Sequence, residues 1–203
     1  MIDNRDKIKV VIFDLGNVII CFDHMIAAEK IAKKTDKTPL EIYDLFFASP
    51  LTERFDAGLI NEKSFFEEVK ETLNIDNLNQ EDFYEIWNNI FWENKGVAKL
   101  IKDIKLKFQS FFIVSNINKV HFKYIWDKFP VVRLADKIIT SYSVGVLKPD
   151  PVIYQKAIEE AKCNPEEIFY TDDRSDLIQA AKGMDFNVHL FQSVEDIRNI
   201  ILN

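Results

Sequence analysis

The strongest constraint on the fold is an alternation. In the second half of the chain, four short apolar runs at 111–114 (FFIV), 137–140 (KIIT), 168–171 (IFYT) and 188–191 (VHLF) are separated by segments of helical period. Those segments carry Val97, Leu100, Ile101 and Ile104, then Val120, Tyr124 and Ile125, then Ile153, Ala157, Ile158 and Ala161, and last residues 177–184. Strand and helix in strict alternation predict a parallel sheet joined by right-handed crossovers. Pro151 suits the first turn of its helix. A fifth run at 8–13, with Val10, Val11, Ile12 and Phe13 in succession, reads as a strand buried on both faces.

Beyond Asp14 the pattern turns helical and stays so to about residue 94. Met25, Ala28, Ile31 and Ala32 recur at helical spacing, and Leu40, Tyr43 and Phe47 follow less cleanly. Asn61 is placed to cap a helix whose face is Phe65, Phe66, Val69 and Leu73. Phe83, Ile86, Trp87, Ile90 and Phe91 form an aromatic stripe that reads as helical core packing. Residues 22–94 are therefore expected to form a helical module set into an α/β frame. With 203 residues and 47% apolar content, the chain can bury a substantial core.

Composition removes several function classes. A net charge of −7 argues against a nucleic-acid partner. Lys99, Lys102, Lys105 and Lys107 read as a solvated helix face. Cys21 and Cys163 lie far apart in no metal-type spacing, which predicts reduced thiols. The opening MIDNRDKIKV carries no apolar signal region, and no apolar run approaches the ~20 residues that cross a bilayer. A cytoplasmic protein without membrane partners is the expectation.

The chemistry lies at the strand ends. Asp14 follows the first strand, Ser115 and Asn116 follow the second, Lys148 lies shortly after the third, and Asp172 with Asp173 ends the fourth. Parallel strands bring these endings to one edge of the sheet, where open α/β sheets bind their ligands. Three carboxylates there repel each other unless a cation joins them, and hard oxygen donors favour Mg²⁺ over zinc or copper. Lys148, Ser115 and the amides of the next helix start supply what a phosphate needs. A carboxylate held near a metal-bound phosphoryl group can attack it in line, which would make Asp14 a nucleophile and an aspartyl phosphate the intermediate.

The ordered segments FDLGNV, VSN, GVLKPDP and FYTDDRSDLIQAA resemble the four motifs of the haloacid dehalogenase superfamily of phosphatases, spread over nearly the whole chain. The resemblance implies a Rossmann-like α/β core from residues 1–21 and 95–203, flanked by helices, with an all-helical cap inserted at 22–94. It implies Asp14 as nucleophile and metal ligand, the carbonyl of Gly16 as a second ligand, and Asp172 with Asp173 as the acidic fourth motif, Asp173 being the more direct ligand. Ser115, Asn116 and Lys148 take the phosphate-binding motifs, and Asp176 is a candidate to support metal-bound water, although the family often has Asn or Asp one position later, where this chain has Leu177. The segment FDLGNV, with Asp56-Ala57-Gly58 and residues 87–91, is similar to bacterial glucose-1-phosphate phosphatases, which implies a small sugar phosphate as substrate.

Gly16 departs from the superfamily pattern, which places an Asp there to protonate the leaving alcohol and activate water. Its absence lowers the rate by ~10²–10⁴ unless another group substitutes. Asp23 and His24 are conceivable substitutes, though their position also fits a helix cap. Thr52-Glu53-Arg54 is a polar stretch that either faces substrate or is solvated, whereas His121 and His189 read as structural. Three readings stay open: a Mg²⁺-dependent phosphomonoester hydrolase, a phosphate- and metal-binding regulatory protein with little turnover, and a metal-independent 2-haloacid dehalogenase.

Overall fold

The computed structural model describes residues 5–47, 49–75 and 78–202; residues 1–4 and 203, the outer ends of the expected core segments, lie outside it, as do three internal positions of the expected cap. Seven strands and eleven α-helices are described, in the order β1 (Val10–Phe13), β2 (Ile20–Phe22), α1 (His24–Ala32), α2 (Pro39–Phe46), α3 (Pro50–Asp56), α4 (Glu62–Leu73), α5 (Gln80–Asn88), β3 (Phe91–Glu93) and α6 (Lys95–Lys107). The chain continues through β4 (Ser110–Ser115), α7 (Lys119–Lys128), β5 (Lys137–Thr140), α8 (Ser141–Val144), α9 (Pro151–Ala161), β6 (Ile168–Asp172), α10 (Ser175–Lys182), β7 (Asn187–Leu190) and α11 (Val194–Ile201).

Five strands form one parallel sheet in the order β5-β4-β1-β6-β7. All five expected runs are in it, with ends displaced by one or two residues. Alternation along each strand sorts the core into two layers. Val11, Phe13, Phe111, Ile113 and Phe169 face one side, where α6, α7 and α11 bring Leu100, Ile104, Ile125 and Ile197. Val10, Ile12, Phe112, Val114 and Tyr170 face the other, covered by Ile153 and Ala157 of α9 and Ile178 and Ala181 of α10. With both faces covered, the strands have no polar face, which is why they read as continuous apolar runs.

The five helices between β2 and β3 enclose a separate apolar cluster that includes Ile31, Phe46, Phe55, Phe65, Phe83 and Trp87. The aromatic stripe is core, as its period implied: Phe65 packs edge-on to Trp87 at 5.1 Å and lies stacked on Phe55 at 4.2 Å. Asn61 caps α4 by accepting from the Ser64 amide at 2.9 Å. One expectation needs correction, since the stretch is not wholly helical. β2 and β3 pair antiparallel, with Phe22 opposite Phe91, in a short ribbon joining the helices to the sheet. Three-residue strands carry too few residues for period 2 to show, and Phe91 fitted the preceding helical stripe equally well.

Two contacts tie the helices to the sheet edge. Trp87 stacks on His121 of α7 at 5.5 Å, and the turn after α3 presses on α8. There Ser141 Oγ donates to the carbonyl of Asp56 at 2.5 Å, and Gly58 sits at φ +70° with the space for a Cβ only 2.5 Å from the Tyr142 carbonyl oxygen. Only glycine fits, on both conformational and steric grounds. Gly58→Ala should destabilise the protein by about 2–4 kcal/mol in urea denaturation, whereas Gly145→Ala, at φ +91° but facing open space, should lose only ~1 kcal/mol.

Candidate active site

The strand register assembles the site. Phe13 of β1 pairs with Thr171 of β6 and with Ile113 of β4, so the residues that follow, Asp14, Asp172 and Val114, emerge side by side. The Asp14 amide donates to the Thr171 carbonyl at 2.9 Å, which extends the ladder by one bond and fixes where its side chain starts. Asp173 comes one residue later, and one carboxylate oxygen from each of Asp14, Asp172 and Asp173 lies within 4.8 Å of the others.

Lys148 enters this group from the loop after α8. Its Nζ donates to Asp14 Oδ1 at 2.7 Å and to Asp172 Oδ2 at 2.7 Å, with the Val114 carbonyl at 3.1 Å and the Tyr170 hydroxyl at 3.2 Å. The lysine is 3% exposed. Its backbone is clamped by Asn116, whose Oδ1 accepts from the Lys148 amide at 2.7 Å and whose Nδ2 donates to the Lys148 carbonyl at 2.9 Å. Asn116, expected to bind phosphate, thus spends its amide on holding the lysine. Ser115 is buried at the end of β4, where it lines a chamber next to the acids.

Lys148 is buried between two acids and Arg174, the other cation here, is paired with Asp176, which leaves negative charge in excess. Burial pushes the Asp14 carboxyl up to about 7, and the charges of Asp172 and Asp173 add to that effect, against the pull of Lys148. Burial, then the Asp172 charge, also raises Asp173, while the Asn17 side chain hydrogen-bonds its carboxylate and pulls the other way. Lys148 is held above its ordinary value, its two acid partners outweighing the burial that alone would lower it. A divalent cation is what this oxygen-only set lacks, and the acids differ in how free they are to bind one. Asp172 Oδ2 accepts from Lys148 and from the Tyr170 hydroxyl, and its Oδ1 accepts from the Arg174 amide at 3.0 Å. Asp173 is exposed, and Asp14 commits only Oδ1 to the lysine. Asp14 and Asp173 are therefore the better placed to ligate a metal. Asp176 is turned outward, in an ion pair with Arg174 at 2.6 Å.

At Gly16 the space for a Cβ is 2.9 Å from Cε1 of Phe22 and 3.6 Å from Asp14 Oδ2. The Phe22 ring fills the place where a longer residue would stand. Asp23 caps α1 by accepting from the Met25 amide at 2.8 Å. His24 lies beside Phe22 and stacks on Phe47 at 4.3 Å, and burial pushes its imidazole down to about 4, so it is neutral. His121 is neutral as well, its ring nitrogens at 3.2 Å from the Trp87 carbonyl and from Asn118 Nδ2. The lysines at 99, 102, 105 and 107 are exposed on α6.

Two cavities meet here. A small one of about 150 Å³ holds Asp14, Asp172, Asp173, Asn17 and Lys148. A larger one of about 590 Å³ runs from Gly16, Ser115 and Lys148 toward α3 and the Phe22, Phe47 and Phe91 rings. Sequence reasoning missed Tyr170, although its place two residues before Asp172 puts both on one strand face. It also missed Asp56, whose carboxylate accepts from Asn118 Nδ2 at 2.9 Å and whose burial pushes it up to about 6.

Residues 8–185 match the haloacid dehalogenase-like hydrolase family. The chain belongs to that family. It is 24% identical over 208 residues to the D-ribitol-5-phosphate phosphatase of Bacteroides thetaiotaomicron, covering 97% of this chain and 99% of that one. A crystal structure of a HAD family enzyme from the same organism, determined as a magnesium complex, superposes with TM-score 0.85 at 22% identity over 97% of this chain and all of that one. A crystal structure of a dehalogenase superposes with TM-score 0.73 at 14% identity over 98% of this chain and 99% of that one. Both superpositions establish the shared fold, a Rossmann-like α/β core, and the chain is a hydrolase by family.

Two outcomes follow from the charges. Lys148→Met leaves Asp14 and Asp172 buried without their cation, and should destabilise the metal-free protein by ~3–5 kcal/mol at pH 7.5, with a smaller loss near pH 5, below the raised value of Asp14, where that carboxyl is protonated. Asp56 is raised, so its ionisation opposes folding increasingly as pH rises from about 4 to about 6. Asp56→Asn should therefore stabilise the protein by ~1–3 kcal/mol at pH 7.5 and by much less at pH 4.5, read from urea midpoints.

Proposed function

We propose that the protein is a Mg²⁺-dependent phosphomonoester hydrolase that works through a phosphoryl group on Asp14, with a small sugar or polyol phosphate as substrate. The observation that carries this reading is the surplus of buried carboxylate around one lysine. Metal-independent dehalogenation gains nothing from a cluster of Asp14, Asp172 and Asp173, whereas phosphoryl transfer needs a cation to balance both the acids and the substrate. The D-ribitol-5-phosphate phosphatase relative and the magnesium-bound structural neighbour support the substrate class and the metal.

Asp14, Asp173 and the Gly16 carbonyl would hold the ion, with Asp172 behind them. When bound, Mg²⁺ would screen the phosphate charge and lower the barrier to attack by an anion. Asp14 Oδ2, the oxygen not engaged by Lys148, attacks phosphorus; the bond to the leaving oxygen breaks and an aspartyl phosphate forms. Water then attacks that phosphorus, its proton is lost, and phosphate leaves as the Asp14 carboxylate is restored. Lys148 holds Asp14 Oδ1 fixed and offers positive charge to the phosphoryl oxygens. Ser115, buried at the end of β4 where it lines the chamber, supplies a hydroxyl donor for the same group. No acid stands at residue 16, so the reading favours substrates whose leaving oxygen needs little protonation.

Phosphate release from a panel of sugar and polyol monophosphates should cease in EDTA and return with MgCl₂. Asp14→Asn should lower kcat/KM by ~10³-fold or more while leaving the thermal transition intact. Turnover that survives Asp14→Asn, or chloride release from 2-chloropropionate without added metal, would overturn the reading.

A further inference from the structure

The larger cavity has a chemical polarity that the small one does not explain. α3 lends it one helical face: Ser49, Thr52, Glu53 and Asp56 all line it, at the i, i+3, i+4, i+7 spacing that puts residues on one side of a helix. Its other faces turn elsewhere. Phe55 is buried among the aromatic rings of the helical module, and Arg54 points away to pair with Glu68 at 3.1 Å. The Ser49 hydroxyl accepts from the Thr52 amide at 3.4 Å, and the Thr52 hydroxyl donates to the Phe46 carbonyl, so both oxygens are oriented rather than free to spin. Asp56 is held by Asn118, the N-cap of α7, and α3 is thereby anchored to the core.

The charges in the chamber are segregated. Its lining cations are Lys148 and Arg174, both of which also line the small acidic cavity. Glu53 and Asp56 line only the larger one, and the histidines there are neutral. The wall formed by Phe22, Phe47 and Phe91 offers apolar faces to C–H groups. A ligand with its phosphate at Lys148 would present its remainder to two carboxylates, two oriented hydroxyls and aromatic rings.

We propose that Glu53 and Asp56, on the chamber face of α3, set the substrate class: monophosphates with an uncharged, hydroxyl-bearing remainder are accepted, and those with a second anionic group are rejected. This rests on the phosphomonoesterase reading above. The acids accept hydrogen bonds from substrate hydroxyls, and a carboxylate or second phosphate brought against them meets like charge in a partly desolvated site.

Matched pairs that differ in one group test it: glycerol 3-phosphate against 3-phosphoglycerate, and glucitol 6-phosphate against 6-phosphogluconate, followed by phosphate release at pH 7.5 with Mg²⁺. The wild-type protein should prefer the neutral member of each pair by about tenfold or more in kcat/KM, chiefly through KM. Glu53→Gln with Asp56→Asn should bring the pairs to within about threefold, and Glu53→Gln alone, at an exposed position that folding does not need, should move the ratio in the same direction. Equal kcat/KM within the pairs in the wild type, or an unchanged ratio in the double variant, overturns the proposal. Calorimetric titration of the same pairs into Asp14→Asn protein reads discrimination without turnover. No hydrolysis with discrimination retained in binding overturns the hydrolase reading alone, and binding without discrimination overturns the assignment of α3.

Discussion

Everything at the sheet edge depends on how one buried ammonium is shared. Lys148 sits between Asp14 and Asp172, the first residue past β1 and the last of β6. An ion pair so buried contributes little net stability, because desolvation offsets most of the attraction. Its value lies in direction. With Asn116 gripping the lysine backbone and Tyr170 bridging the ammonium and Asp172, each oxygen has one position, and one Asp14 oxygen remains outside the lysine's reach. The leftover negative charge is what a divalent cation would balance under the proposed function.

The helical module completes what the sheet begins. Phe22 belongs to the β2–β3 ribbon, yet its ring stands over Gly16 beside Asp14. The departure at residue 16 is thus more than a missing acid, since an apolar ring has taken the space and would have to move before an acid could be restored. Such a ring shields the flank of Asp14 from bulk water and offers no proton donor there. The same module brings α3 over the chamber, held by Asp56 to Asn118 and Ser141 and by the tight approach of Gly58 to Tyr142.

Much of this was legible in the sequence because it is written in local pattern. Strands buried on both faces show as apolar runs, and parallel connection sends their ends to one edge, so Asp14, Ser115, Lys148, Asp172 and Asp173 could be placed together before any coordinate. What stayed hidden depends on contacts between distant segments. Asn116 and Ser115 share a motif, but only the fold shows that the Asn116 amide is consumed by the Lys148 backbone. Phe22 over Gly16 follows from ribbon geometry, and a three-residue strand has no readable period. Glu53 and Arg54 are adjacent and equally polar; one faces the chamber and the other Glu68, a distinction set by the rotation of α3 about its axis.

A dehalogenase and a magnesium-bound HAD family enzyme both superpose on this parallel sheet, so the fold does not choose the reaction. On the proposed reading, the choice lies in how many acids surround Asp14 and what balances them. One carboxylate beside one lysine is neutral and can attack carbon unaided. Three carboxylates around one buried lysine leave negative charge over, and burial lifts Asp14 toward neutrality. The metal dependence proposed for this protein would in that sense be a consequence of the extra acids at the end of β6, where the chain reads Asp172-Asp173.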